Sequence, residues 1–369
     1  MRYMTHSTIG LLNTEDSNPM KSQNSSYYNG FDVLRLVAAI MVLFGHAYPL
    51  TGNASPGFFG NSIQTIGVKI FFIISGYLIT KSWLSDPHPG SFLKKRFLRI
   101  YPGFAANIII VSVILAPCVT TLSIGEYFGS PGLQTYFRNL MFFPIYNLPG
   151  VFADNVYPTA VNGSLWSLPV EILMYLLVPI LIQRGTGGNR VIFFLATIVM
   201  VFTSIWYVRM HASTTPLVIY GTGIPSALEV SIYFLIGALY TFINKELLTS
   251  KYTGIALIVF FAYAINEYVL GEIILLLILP YCVLSFGLSN FPLAHRIMGR
   301  VDLSYGIYLY GFPIQQVLMS RFGKMSALEN FWCSLPVTAL FALGSWFLIE
   351  QPALRAKNIR LFSKLKPSK

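Results

Sequence analysis

The chain contains ten apolar runs of about 17–23 residues, and these runs constrain its fold more than any other feature. They lie at residues 31–50, 62–84, 100–117, 164–182, 191–210, 228–244, 254–270, 272–288, 303–320 and 331–349. A helix needs about 20 mostly apolar residues to cross the hydrocarbon core of a bilayer. The pattern therefore predicts an all-α integral membrane protein with about ten transmembrane helices.

Composition supports the same fold class. Hydrophobic residues make up 54% of the 369 residues and charged residues only 11%, whereas soluble domains carry about 25% charged residues. We expect one membrane domain over residues 31–352. A disordered cytoplasmic tail at 1–30 would precede it, and a basic cytoplasmic tail at 353–369 would follow it.

The positions of Lys and Arg predict the orientation. With the N-terminus inside, the inner segments hold 18 of these residues and the outer segments hold 4. Because short cytoplasmic loops are enriched in Lys and Arg, both termini are expected in the cytoplasm. The net charge of +11 then reflects contact with membrane lipids, and it gives no reason to expect a nucleic-acid partner.

The first run contains two ionisable residues, Arg35 and His46. Eleven residues are close to three helical turns, so both side chains lie on one face, about 16 Å apart along the axis. A neutral imidazole can accept a proton from a hydroxyl at physiological pH. His46 is therefore a candidate general base; the alternative is a packed histidine bonded to a neighbouring carbonyl.

Glu171 lies in the fourth run, two turns after the segment's polar start. If the helix begins at the outer surface, Glu171 reaches the depth of His46. It would then orient His46 or take the proton itself; the alternative is a structural ion pair with Lys69. Asn162 and Ser164, at the start of this helix, have the side chains typical of helix caps.

Ser75 in the second run has two interpretations. With Gly76 it favours close helix packing, since small residues let helices approach in bilayers. A nucleophilic role for Ser75 is the alternative, although no GxSxG elbow surrounds it.

A basic segment, KKRFLRIYP at 94–102, is expected in an inner loop. Its charges can bind anionic lipid. Arg96 and Arg99 are also spaced to hold a phosphate group, and the residues alone leave both interpretations open.

Three further features complete the set of candidates. Tyr305 and Tyr308 share one face of the ninth run, and Glu350 ends the tenth at the level of Arg35, so a structural Arg35–Glu350 pair is expected. The long outer loop at 118–163 is expected to be functional or a lid. No spacing of ligands for a metal is present.

Other function classes fit some of these observations. A proton-coupled transporter also places ionisable residues inside the membrane as a relay, but no internal repeat of the kind many transporters contain is evident. A non-catalytic membrane scaffold is a third interpretation, under which His46 could be replaced without effect.

Several motifs in order resemble the membrane-bound acyltransferase family 3, which includes O-antigen, exopolysaccharide and nodulation-factor O-acetyltransferases. The matching residues cover nearly the whole membrane domain: Arg35 with His46, FFIISGYL, Arg96-Phe-Leu-Arg99 followed by Ile100-Tyr101-Pro102, Asn162-Gly-Ser-Leu-Trp166-Ser-Leu to Glu171, Ser304-Tyr-Gly-Ile-Tyr-Leu, and Glu350-Gln-Pro352.

The resemblance implies acetyl-CoA as the donor, with His46 and Arg35 essential. It implies that Arg96 and Arg99 serve the donor side, with Lys95 and Tyr101 beside them. The acceptor would be a hydroxyl of a surface or lipid-linked glycan, and the location the bacterial cytoplasmic membrane.

One departure from the family pattern concerns the segment IYLY, which is followed by Gly311 where many members have His. The chain also ends soon after the tenth run, so no further extracytoplasmic domain is expected. Three alternatives stay open: an acyl group other than acetyl, a small-molecule acceptor, and a covalent acyl-enzyme on His46 or Ser75.

Overall fold

The computed structural model describes residues 30–58, 60–182, 189–210, 217–248, 271–288 and 301–356. The predicted span at 254–270 lies outside the described residues. The same holds for the N-terminal tail up to residue 29 and the C-terminal tail from residue 357.

Thirteen α-helices make up most of the described residues. In chain order they are α1 Gly30–Leu50, α2 Ile63–Ser85, α3 Pro89–Ile109, α4 Ile124–Gly129, α5 Pro131–Tyr136, α6 Ser167–Leu181, α7 Asn189–Met210, α8 Ile224–Leu239, α9 Lys245–Leu248, α10 Gly271–Gly287, α11 Ser304–Phe322, α12 Ala327–Ser345 and α13 Gln351–Arg355. The long helices confirm the all-α fold class.

Shorter elements extend or connect these helices. The π-helical segments are Ile110–Leu115 and Trp346–Glu350, and the 3-10 segments are Ala116–Cys118, Phe137–Met141, Gly163–Trp166 and Tyr240–Phe242. Two antiparallel hairpins pair β1 Gly57–Phe58 with β2 Asn61–Ser62 and β3 Val218–Ile219 with β4 Thr222–Gly223.

Seven helices of the described chain are long and apolar enough to cross a membrane. They coincide with seven of the ten predicted spans. The three predicted spans without such a helix are 254–270, 272–288 and 303–320. The last of these is α11, which is helical but more polar, with Gln315 and Gln316 fully buried. Because its neighbours α1 and α12 cover it, this helix faces protein rather than lipid and can carry amides.

Two glycines allow α2 and α8 to pack at close range. A Cβ at Gly76 would lie 2.0 Å from the carbonyl oxygen of Phe234, and a Cβ at Gly237 would lie 2.3 Å from that of Ile73. The predicted close approach at Gly76 is therefore present. Without side chains at these positions the two backbones touch directly.

The basic segment 94–102 is helical, which differs from the loop predicted there. It lies in α3, which begins with Pro89, a residue favoured at the first position of a helix. Phe92 and Ile100 are buried on one side of this helix. The charges do not require a loop, because Lys95, Arg96 and Arg99 are partly buried against the bundle while Leu93 and Phe97 are the exposed side chains.

The long segment between α3 and α6 folds back into the bundle. The ring of Phe142 stacks on Phe104 of α3 with centroids 4.8 Å apart. Asn162 is 0% exposed and donates a hydrogen bond to the Leu309 carbonyl of α11 at 2.9 Å. The helix that contains Glu171 therefore begins inside the protein rather than at its outer surface.

Candidate active site

A cavity of about 220 Å³ lies between α1, α2, α3, α6, α11 and α13. We call the end of the bundle that contains this cavity, with Arg35, Arg96 and Arg99, the basic end. The charged and hydroxyl-bearing lining residues are Arg35, Ser75, Lys95, Arg96, Arg99, Ser167, Glu171, Tyr175, Ser304, Tyr305 and Tyr308. Four cations and one carboxylate line the cavity, and three of the cations, Arg35, Lys95 and Arg99, have carboxylate partners outside the lining.

Carboxylates already pair two of the cations on α3. Arg99 forms an ion pair with Asp302, which also accepts a hydrogen bond from the Ser304 backbone N–H at 3.1 Å. Lys95 Nζ lies 2.7 Å from Asp86 Oδ2. The hydrogen bond from Lys95, with smaller contributions from His88 and Ser91, holds the pKa of Asp86 well below its usual range.

Arg96 differs from its neighbours because no carboxylate pairs with it among the described residues. Its guanidinium carbon lies 5.9 Å from the centre of the Phe92 ring. Its Nε is buried and has no hydrogen-bond partner in the described chain. A buried donor of this kind is costly unless something accepts from it, so the cavity offers an unused cationic donor to an anionic ligand.

Glu171 lines the same cavity from α6. It accepts hydrogen bonds from Ser75 Oγ at 3.0 Å and from the hydroxyl of Tyr175. Tyr175 follows Glu171 by four residues, one turn along α6. These partners differ from the expected one, since His46 is not among them.

His46 lies outside the cavity lining. Its ring packs edge-on against Phe312 of α11, with centroids 5.2 Å apart and planes at 79°. Gly163, which precedes α6, packs against the Phe312 ring as well: a Cβ at Gly163 would lie 2.6 Å from a carbon of that ring. The helix of Glu171 thus starts at the depth of His46.

The expected depth of Glu171 is therefore wrong. Glu171 is eight positions after Gly163, which corresponds to about 12 Å along a helix. Glu171 instead shares the cavity wall with Arg35. The expectation failed because the preceding loop enters the bundle, as the burial of Asn162 shows, and sequence patterns do not reveal such a shift.

Two aromatic rings that line the cavity pack against each other. Phe71 and Tyr308 have centroids 5.7 Å apart. The Tyr308 hydroxyl is 2.5 Å from Ser167 Oγ and donates to the Ser164 carbonyl at 2.9 Å. Tyr308 precedes Phe312 by one turn of α11, so the Tyr308 ring lies on the side of the cavity nearer His46.

The expected Arg35–Glu350 pair is replaced by local partners. Arg35 lies 3.5 Å from Asp32, one turn earlier on α1. Glu350, which is 2% exposed, accepts from Ser345 Oγ at 2.8 Å. Each group finds its partner within five residues on its own helix.

Lys69 pairs with a residue that sequence reasoning missed. Its Nζ lies 2.6 Å from Glu229 Oε1 of α8 and donates to Asn61 Oδ1 at 2.7 Å. The alternative pairing with Glu171 is therefore incorrect. An acidic residue inside an apolar run was the signal for Glu229, because such residues in spans usually have a partner.

Three candidate residues just before α6 have different roles: Asn162, Ser164 and Trp166. Asn162 Oδ1 accepts from the Ser164 backbone N–H at 3.1 Å, which makes Asn162 the cap. The Ser164 hydroxyl is buried and has no partner in the described chain. Trp166 accepts from Thr222 Oγ1 through its carbonyl at 3.1 Å.

Two of the tyrosine candidates, Tyr305 and Tyr101, differ in their relation to the cavity. Tyr305 lines the cavity and donates to the Ile100 carbonyl at 2.8 Å. Tyr101 is absent from the lining and stacks on Phe97 with centroids 4.6 Å apart. Asp302 and Tyr175 were missed, although the i, i+4 spacing of Tyr175 from Glu171 was a usable signal.

Known proteins similar to the chain are acyltransferases and a nodulation protein. The acyltransferase 3 family model, described as an acyltransferase domain, matches residues 28–350. An O-acetyl transferase of Shigella phage Sf6 is 30% identical over 345 residues, 90% of this chain and 98% of that one. Nodulation protein 10 of Rhizobium leguminosarum bv. viciae is 29% identical, covering 92% and 97%.

A longer relative matches over part of its length. The peptidoglycan O-acetyltransferase OatA of Listeria monocytogenes is 26% identical over 92% of this chain and 58% of its own. No solved structure matches the chain. The family match covers the helices that carry Arg35, His46, Arg96, Arg99 and Glu171, so this membrane protein belongs to the acyltransferase 3 family and is an O-acyltransferase.

Proposed function

We propose that the enzyme transfers an acetyl group from acetyl-CoA to a hydroxyl of a cell-surface or lipid-linked carbohydrate. Relatives named as O-acetyltransferases, one of them acting on peptidoglycan, support this reaction. The observation that carries the proposal is the cavity at the basic end, where the buried Nε of Arg96 has no hydrogen-bond partner among the described residues.

Donor binding would use the cations of the cavity. Arg96 has a free buried donor that fits a phosphoryl oxygen. Arg99 is held by Asp302, so it adds charge in a fixed position. Coenzyme A carries three phosphoryl groups that would accept from Arg96, and Lys95 lines the same cavity.

His46 would act on the acceptor. Its imidazole removes the proton from the acceptor hydroxyl as the oxygen attacks the thioester carbonyl. The carbon–sulfur bond breaks, and the proton returns to the departing sulfur. Arg35 and His46 are about 16 Å apart along α1, a separation that the long pantetheine arm of the donor can span.

For this transfer the arm would pass beside the rings of Phe71 and Tyr308, which line the cavity. Glu171, with Ser75 and Tyr175 bonded to it, supplies a fixed negative charge among the cations. We propose that it positions Arg96 and Arg35 and that it does not orient His46.

The location we propose is the bacterial cytoplasmic membrane, with the basic end in the cytoplasm where coenzyme A is available. The excess of Lys and Arg in the predicted inner segments, 18 against 4, supports this orientation.

A reconstituted assay tests the reaction. Purified protein in vesicles receives acetyl-CoA labelled in the acetyl group, with polysaccharide extracted from cells that lack the gene. Label should enter the polysaccharide with wild type and fall about 10²–10⁴-fold with His46→Ala. His88→Ala, at a histidine 68% exposed, is the matched control and should retain activity. Label transfer that does not depend on His46 would contradict the mechanism.

A further inference from the structure

The tip of the long loop before α6, residues 152–159, is closed on itself. The Thr159 backbone N–H donates to the Phe152 carbonyl at 2.9 Å, and Asn155 N–H donates to the same carbonyl at 3.3 Å. Phe152 and Thr159, one at each end, have left-handed backbone angles, φ 56° and 63°. Non-glycine residues keep such angles only where the surroundings impose them, often at functional sites.

The buried side-chain amide of Gln316, in α11, holds this loop in place by hydrogen bonds. Gln316 is 0% exposed, and its Nε2 donates to the carbonyls of Tyr157 and Ala160 at 2.8 Å each. Asn155 Nδ2 donates back to Gln316 Oε1 at 2.7 Å. The loop is therefore a preformed surface rather than a free segment.

The turn after α1 fixes the loop from the side. Gly52 has φ 79°, and a Cβ there would lie 3.0 Å from a side-chain carbon of Val156. The loop is thus contacted by α11 and by the turn that follows α1. Helix α1 carries His46, and α11 carries Phe312.

A chain of rings connects the loop tip with His46. Tyr157, 43% exposed, has its ring 6.1 Å from Phe312, and Phe312 is 5.2 Å from His46. Tyr157 thus lies one ring away from the proposed general base, on the side away from the basic end. Asp154 is exposed in the same loop.

We propose that residues 152–159 are the binding subsite for the acceptor, with Tyr157 stacking on a sugar ring and Asp154 accepting hydrogen bonds from its hydroxyls. The proposal rests on the proposed carbohydrate acceptor. An exposed aromatic face beside a carboxylate matches the chemistry of a pyranose, which presents apolar C–H groups on its face and hydroxyls at its edge. Donor and acceptor then meet at His46 from opposite sides.

Acceptor titrations test this subsite. Polysaccharide from cells lacking the gene is varied at saturating labelled acetyl-CoA, with wild type, Tyr157→Ala and Asp154→Asn. We expect the half-saturating polysaccharide concentration to rise about five- to tenfold in each variant, as loss of a stacking or hydrogen-bonding contact predicts. The half-saturating acetyl-CoA concentration should not change.

Tyr220→Ala is the matched control. Tyr220 is also exposed (49%) and left-handed (φ 51°), but it lies in the β3–β4 hairpin and packs on Phe143. The half-saturating polysaccharide concentration of Tyr220→Ala should stay at the wild-type value. If that concentration is the same for Tyr157→Ala, Asp154→Asn and Tyr220→Ala while the wild type is active, the subsite is overturned and the proposed function is not. A wild type that leaves the polysaccharide unlabelled would overturn the proposed function and the subsite together.

Discussion

Individual side chains in the cavity differ in how far their charge is already neutralised. Arg99 and Lys95 have carboxylate partners within the described chain, whereas Arg96 has no carboxylate within ion-pair distance there and lies against the ring of Phe92. Since a hydrogen bond to a charged group contributes about 1.5–3 kcal/mol, Arg96 is the residue from which a bound phosphate would gain most.

Replacing Arg96 with Gln should therefore raise the KM for acetyl-CoA about 10- to 100-fold, with a smaller change in kcat. Initial rates of CoA release at varied acetyl-CoA measure both quantities. Lys94→Gln removes the same charge from the same helix at a position outside the cavity lining and should leave KM near the wild-type value. If both variants have the same KM, Arg96 does not bind the donor.

The Lys69–Glu229 pair should affect stability. The Lys69 side chain is 3% exposed, so Glu229→Gln leaves a buried ammonium without its carboxylate. Because Glu229 is 38% exposed, we expect a loss of about 2 kcal/mol, below that for a fully buried pair. Thermal unfolding in detergent measures it.

The double variant Lys69→Met with Glu229→Leu is the internal comparison for that pair. It removes both charges together and should unfold at a higher temperature than Glu229→Gln. If the single variant is the more stable of the two, the pair does not hold α2 and α8 together.

Sequence reasoning identified the ionisable residues of the site but not their partners. Arg35, His46 and Glu171 stood out because charges in apolar runs are costly. Their actual partners, Asp32 for Arg35 and Ser75 with Tyr175 for Glu171, depend on helix rotation and depth. A shift of two turns exchanges one set of neighbours for another, and no pattern in a single chain fixes it.

At the scale of elements, the α2–α8 contact depends on its glycines. Gly76→Ala would place a methyl group 2.0 Å from a backbone oxygen, which forces the helices apart and should lower the unfolding temperature and the yield of folded protein. Gly344→Ala, in α12 with open space around it, should instead be neutral or stabilise by about 0.5–1 kcal/mol. A destabilisation of equal size in both would contradict the contact.

Most helices followed from hydropathy because each long apolar run has one stable structure in a bilayer. The prediction of secondary structure and depth failed for two segments whose positions are set by packing against other parts of the protein rather than by contact with lipid. The basic start of α3 was assigned to a loop, and the segment that ends at Asn162 enters the bundle although its composition is that of a surface loop.

Across the whole molecule, two distinct regions flank the proposed general base. The cavity lies at the basic end, and the loop 152–159 lies beyond Phe312. Such a division would let a cytoplasmic donor and a carbohydrate outside the cell react in one protein.

Site-directed labelling tests the orientation that this division requires. In a variant whose three cysteines are replaced by Ser, a membrane-impermeant thiol reagent applied to intact spheroplasts should label Val156→Cys. It should label Gly90→Cys only after permeabilisation. Both positions are exposed. The reverse pattern would place the basic end outside the cell and rule out donor entry from the cytoplasm.

The most direct test of the account is mass spectrometry of surface glycans from cells that carry the wild-type protein, His46→Ala or no gene. We predict sugars heavier by the mass of one acetyl group in wild type alone, with His46→Ala indistinguishable from the cells without the gene. Identical glycan masses in all three strains would contradict acetyl transfer to a surface carbohydrate.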